Sequence, residues 1–268
     1  LGLIALALGW KLLPNNPPSE TKRKFDKLSA LGNALTFGLL IYTLEGIAHS
    51  ENRALILIQF ILLLIIGTLY IRRQQRLATP ILPVDLLKIP LFSLSICSSL
   101  ASFTAQMLAM VSLPFFMQNM LGYDAVEIGL LMTPWPLATI LTAPLSSRLL
   151  ERRVHPGLLG GIGMGIFAFG ILMLYLLPDE TSKANIIWRM AICGMGYGLF
   201  QTPNNVTITT SVPINRSGGA SGMLGTARQL GQTLGATLVA LIFRFTMGED
   251  QFPTCLLFAM AFALSSML

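Results

Sequence analysis

The sequence predicts an all-α polytopic membrane protein, and three observations carry that reading. The chain of 268 residues is 53% hydrophobic and only 11% charged, whereas a soluble domain carries about 25% charged residues. Its apolar residues fall in runs close to the ~20 that a helix needs to cross the hydrocarbon. Its 18 lysines and arginines stand in the short turns between those runs. A net charge of +6 raises the question of nucleic acid. Basic residues scattered over separate turns form no continuous patch, so the expected partner is the lipid bilayer and not a polynucleotide.

Taken in order, residues 1–13 read as the end of a preceding transmembrane helix. Residues 14–27 read as a cytoplasmic loop with the basic group Lys22, Arg23, Lys24 and Lys27. Residues 28–71 hold two spans, about 28–48, with Glu45 near its far end, and about 54–71. Residues 72–90 form a second cytoplasmic loop, opening with Arg72, Arg73 and Arg76. Residues 91–268 hold six spans, about 91–117, 130–156, 157–177, 186–212, 222–243 and 252–268. The chain opens and closes inside apolar runs and reads as a fragment cut at both ends.

The span over 130–156 contains Pro134, Pro136 and Pro144. These would break a helix in water, but neighbouring helices can re-satisfy the freed backbone groups in a bilayer. It ends in Ser147, Arg148, Glu151, Arg152, Arg153 and His155, a basic exit with one embedded acid. Alternate turns divide the basic residues fourteen to four. The larger set includes Arg72, Arg148, Arg152, Arg216 and Arg228, and the smaller is Arg53, Lys183, Arg189 and Arg244. The larger set is cytoplasmic by the positive-inside rule.

Polar residues recur at helical spacing on four spans. They are Ser95, Ser99, Ser102 and Gln106 on the first, Trp135, Thr139, Thr142 and Ser146 on the second, Gln201, Asn204, Asn205 and Thr207 on the third, and Thr226, Gln229, Thr233 and Thr237 on the fourth. Polar groups are costly against lipid, so these faces meet other helices or a watery cavity. Serine and threonine can be satisfied by backbone or by close helix packing. The large amides are poor packing elements and point to a cavity. The expected cavity set is Ser99, Gln106, Trp135, Thr139, Gln201, Asn204 and Gln229, an aromatic with neutral amides that suits amphipathic cations. Glycines at small-xxx-small spacing, Gly157/Gly161, Gly218/Gly222 and Gly231/Gly235, are expected at helix-packing seams.

No catalytic or metal-binding constellation is legible. His49 and His155 fall in turns on opposite sides, and Cys97, Cys193 and Cys255 lie inside apolar spans without metal or redox spacing. Gly194-Met-Gly196-Tyr-Gly198 has no preceding strand and is no dinucleotide loop. Neither enzyme chemistry nor a cofactor nor a metal is expected.

Three stretches resemble the major facilitator superfamily, and within it the fourteen-spanner drug:proton antiporters. The stretch 147–156, SRLLERRVHP, is similar to the family's gating motif, with Glu151 in the acid's place, Arg152 in the arginine's and Ser147 where glycine is usual. The stretch 113–129, LPFFMQNMLGYDAVEIG, is similar to the run before that helix. The stretch 216–235, RSGGASGMLGTARQLGQTLG, is similar to the penultimate-helix pattern. The resemblance implies that 28–71 is a linker pair and 91–268 the second six-helix half. It also implies that the four spans with polar stripes line the path, and that the partner is the N-terminal half of the same protein. It further implies proton-coupled export of lipophilic or cationic compounds at the cytoplasmic membrane. A siderophore or metabolite carrier of the same build, or a non-transporting membrane scaffold, are the alternatives. In the family the first-half acid docks at the start of the penultimate helix, here Gly218–Gly222, and Glu151 meets its counterpart in the other half.

Overall fold

The computed structural model describes residues 26–49, 52–77, 80, 82–178, 181–246 and 248–267, with residues 2, 9 and 10. All but those three residues of the helix end expected over 1–13, all but the last two residues of the loop at 14–27, and the turn acid Asp179 lie outside the described residues. The described residues form nine α-helices and no strand. They are α1 (Lys27–His49), α2 (Arg53–Arg76), α3 (Pro90–Asn119), α4 (Ala125–Met132), α5 (Pro134–Glu151), α6 (Pro156–Tyr175), α7 (Lys183–Thr210), α8 (Ser217–Phe245) and α9 (Gln251–Ser265). Short 3-10 turns at Val84–Lys88 and Ile214–Arg216 precede α3 and α8. Helices α1, α2, α3, the α4–α5 pair and α6 are long and apolar enough to cross a membrane. Helices α7 and α8, of 28 and 29 residues, are long enough but carry the polar stripes.

Three boundaries differ from the expectation, each for a local reason. The run over 130–156 is two helices. Asp124 caps the N-terminus of α4 in a capping box with Glu127, inside what reads as a turn. Pro134 then begins α5, because a proline has no N–H to continue the ladder. Helix α7 begins at Lys183 and not near 186, capped by the Ser182 side chain. Helix α8 begins at Ser217 and not at 222, so the glycine-rich stretch is its first turns. Arg189 and Arg228, already within the expected spans 186–212 and 222–243, lie inside helices and leave the tally of turn residues, one from each side.

Helix α7 lies against α6 on one side and α5 on the other, while α3 lies against α8 and α9, and α1 pairs with α2 and runs along α8. Glycines set these approaches. A Cβ at Gly194 would strike the Trp135 carbonyl, and one at Gly198 would meet the Thr139 carbonyl at 2.8 Å. One at Gly196, on the other side of α7, would strike the backbone of Phe167. Gly231 and Gly235 bring α8 onto α3, where a Cβ would meet the Leu100 and Thr104 carbonyls at 2.7 and 2.8 Å. The other expected packing glycines do not touch a neighbouring helix. A Cβ at Gly161, Gly218 or Gly222 would meet nothing within 4 Å, and one at Gly157 only the ring of His155. On α6 the tight positions are Gly163 and Gly170, against Gly196 and Cys193. Spacing shows which residues share a face, but the bulk of the opposing helix decides which face closes.

Candidate substrate path

Asn204 and Ser99 meet where α7 crosses α3. Asn204 Nδ2 donates to Ser99 Oγ at 2.6 Å, and Ser99 Oγ donates to the Ser95 carbonyl at 2.8 Å. One turn further, Ser102 Oγ donates to the Ser99 carbonyl at 2.9 Å. Gln106 continues this face of α3 and is half-buried, as is Gln201 on α7. Pro203 locally opens α7, since its missing N–H frees the carbonyl of Leu199. Ser146 Oγ of α5 donates to that carbonyl at 3.2 Å, the kind of repair a membrane helix requires. Beside these residues a cleft of about 480 Å³ opens between α3, α6 and α7, with Ser95, Asn204, Thr207 and His155 in its wall.

The structure does not bring Trp135 and Thr139 into that group. Trp135 is 1% exposed, and its ring meets Phe167 of α6 edge-on at 5.5 Å. Thr139 Oγ1 donates to the Trp135 carbonyl and to the Gly194 carbonyl, both at 3.0 Å. Both residues lie in the seam of α5 with α6 and α7. Gln229 is exposed on α8. Glu45 lines a separate cleft of about 430 Å³ between α1 and α8, with Met107, Gln232, Thr233 and Thr237.

At the C-terminal end of α5, Ser147, Glu151 and Arg152 are exposed. Arg153 closes the helix in the left-handed region at φ 64°, and the His155 ring accepts from Gly157 N–H at the start of α6. Among the described residues Glu151 makes no ion pair. The start of α8 is not left wholly to the other half of the protein. Arg216 donates to both carboxylate oxygens of Asp85 at 2.9 Å, and a Cβ at Gly219 would come within 3.3 Å of Pro83.

Arg228 is the residue that sequence reasoning misplaced. It sits eleven residues into α8, its guanidinium 5.6 Å from the centre of the Phe103 ring. Treating every base as a turn marker hid it. The expected span over 222–243 already contained it, so the span bounds and the count of turn bases disagreed at this residue.

Residues 1–236 match the Major Facilitator Superfamily. The chain is 58% identical over 242 residues to the uncharacterized transporter YebQ of Escherichia coli, covering 90% of this chain and 53% of that protein. It is 31% identical to the multidrug efflux pump LfrA of Mycolicibacterium smegmatis, over 89% of this chain and 47% of the pump. It is 26% identical to the riboflavin transporter RibZ of Clostridioides difficile, over 94% and 54%. The chain thus spans about half the length of the curated relatives it matches. With a polytopic all-helical architecture and this match over most of its length, the chain belongs to the Major Facilitator Superfamily.

Proposed function

We propose that the whole protein exports lipophilic, drug-like compounds across the cytoplasmic membrane by alternating access, in exchange for protons. This chain would supply the linker pair and the second half, and the remaining half of the protein would close the path. The observation that carries this reading is the polar face shared by α3 and α7. There Ser99 and Asn204 are bonded to each other, and Gln106 and Gln201 present amides that no lipid-facing helix would retain. The similarity to the multidrug efflux pump LfrA supports export of drugs. The similarity to the riboflavin transporter RibZ supports a second reading, a metabolite carrier on the same scaffold. A scaffold without transport would need no polar face.

The test is dye and drug export by the full-length protein in everted vesicles, with and without an imposed pH gradient. Uphill efflux that collapses with the proton gradient supports the proposal. Movement of riboflavin-like metabolites alone would replace it with the carrier reading.

A further inference from the structure

We propose that Arg228 is the group in the path that recognises an anionic oxygen group on the exported compound. The substrates would then be lipophilic molecules bearing a carboxylate, sulfonate or phenolate. This rests on the export reading above and narrows its substrate class.

Depth is the first argument. Arg228 lies about 16 Å along α8 from Ser217 and about 25 Å from Phe245 at ~1.5 Å per residue. With α8, about 43 Å long, centred on a hydrocarbon core about 30 Å thick, the charge lies inside the core, about 10 Å from its nearer edge. Charges at that depth are costly, and they face a bundle interior or a watery cavity.

The face is the second argument. Helix α8 buries Ala220, Met223, Ala227, Gly231 and Gly235, with the last two pressed on α3. Ser221, Gly222, Gly225, Arg228 and Gln229 stand exposed on the other side. A Cβ at Gly222 or Gly225 would meet nothing within 4 Å, so the surface beside the guanidinium is bare of side chains. Phe103, under the guanidinium, is buried and holds Tyr197 of α7 at 6.2 Å. The arginine therefore rests on a platform shared by α3 and α7, the two helices joined by Asn204 and Ser99.

Chemistry is the third. Stacking on an aromatic ring leaves the planar fork of N–H donors free at its edge, the geometry that suits bidentate capture of a carboxylate. Among the described residues Arg228 has no hydrogen bond or ion pair of its own. Its neighbours Gln229 and Gln106 are neutral and add no competing negative charge. A fixed positive charge in a low-dielectric path repels a quaternary ammonium and attracts an anionic group. It moves the expectation away from simple cations.

The test uses purified full-length protein and two xanthene dyes of similar size, anionic fluorescein and cationic rhodamine 123, followed by fluorescence polarisation and by uptake into proteoliposomes. The wild type is expected to bind fluorescein more tightly than rhodamine 123. Arg228→Gln should weaken fluorescein about tenfold or more, as for loss of a charge-assisted hydrogen bond, with rhodamine 123 almost unchanged. Arg228→Lys should restore most of the fluorescein affinity. Equal weakening of both dyes that lysine does not restore would overturn the proposal and assign Arg228 to a contact within the protein, such as a carboxylate of the other half. A wild type that exports rhodamine 123 but binds no fluorescein would also overturn it, leaving the export reading intact. A wild type that neither binds nor exports either dye or any drug tested would sink both.

Discussion

Asn204 and Ser99, 105 residues apart in sequence, are joined at 2.6 Å from amide to hydroxyl. Ser99 is 1% exposed and already donates to the Ser95 carbonyl, so its oxygen both gives and receives. This clamp between α3 and α7 lies on the face assigned to the path. It makes the polar stripe part of what holds the helices together.

Removing either partner of that clamp should cost little, and the cost should be shared. Side-chain hydrogen bonds between membrane helices average about 0.6 kcal/mol and reach about 1.7. A double-mutant cycle with Ser99→Ala and Asn204→Ala in the full-length protein should give a coupling in that range, measured by unfolding in mixed micelles. Strict additivity of the two changes would mean that the bond contributes nothing to stability.

The glycines of α6 and α7 should divide sharply under one test. Gly196→Ala drives a methyl into the backbone of Phe167, and neither helix can yield without separating. Overpacking of this kind costs about 1–3 kcal/mol. Gly161→Ala meets nothing within 4 Å and should leave thermal stability unchanged. Equal melting temperatures for the two variants would contradict the packing described.

Much of this was legible in the chain, and the omissions have physical causes. Hydropathy placed the apolar helices α1, α2, α3 and α6, because water and lipid sort whole segments by composition alone. The Ser99 and Asn204 faces were legible because helical spacing keeps such residues in line. Trp135 was misassigned to the open path. A stripe identifies a face but not its neighbour, and here the neighbour is Phe167 of α6. The contrast between Gly163 and Gly161 was illegible for the same reason. Arg228 was hidden because the positive-inside tally counts every base as a turn residue, even one within the expected span 222–243.

Where the start of α1 meets the end of α2, Asp26 is held by Ser29, whose hydroxyl and backbone N–H both donate to it, and by Arg73 at 3.1 Å. Those bonds to Ser29, and then the Arg73 charge, lower the Asp26 pKa from 3.8 to about 2. A depressed carboxyl stabilises the folded state above its unfolded pKa and loses that contribution as pH falls through the folded one. Asp26→Asn should therefore be less stable than wild type at pH 6, with the gap closing between about pH 4 and pH 2. A gap independent of pH in thermal melts of the two proteins would assign the effect to something other than the carboxylate.

The amides and the aromatic should separate by readout. Gln106→Ala, Gln201→Ala and Gln229→Ala remove half-buried or exposed groups and should shift the relative export of different dyes at near-normal expression. Trp135→Ala empties a packed site and should cost about 3–5 kcal/mol, read as lost expression and melting temperature. Trp135→Phe should restore folding with the parental dye profile. A changed profile in well-folded Trp135→Phe would return Trp135 to the path.

The start of α8 offers the sharpest separation between contacts within this half and contacts with the other. Gly219 is backed by Pro83, and the same loop holds Arg216 through both oxygens of Asp85. Gly218 faces nothing within 4 Å among the described residues. In full-length protein, Gly219→Leu should push the 82–88 loop off α8 and lower stability. Asp85→Asn should do so more weakly, because an exposed ion pair contributes about 1 kcal/mol or less. Gly218→Leu should melt with the wild type yet export more slowly, since only an element from elsewhere in the protein can collide with the added side chain. Melting temperatures and initial export rates, taken together, decide the matter. Normal export by Gly218→Leu would mean that nothing docks on that face. A Gly219→Leu protein as stable as wild type would mean that the loop contact is slack.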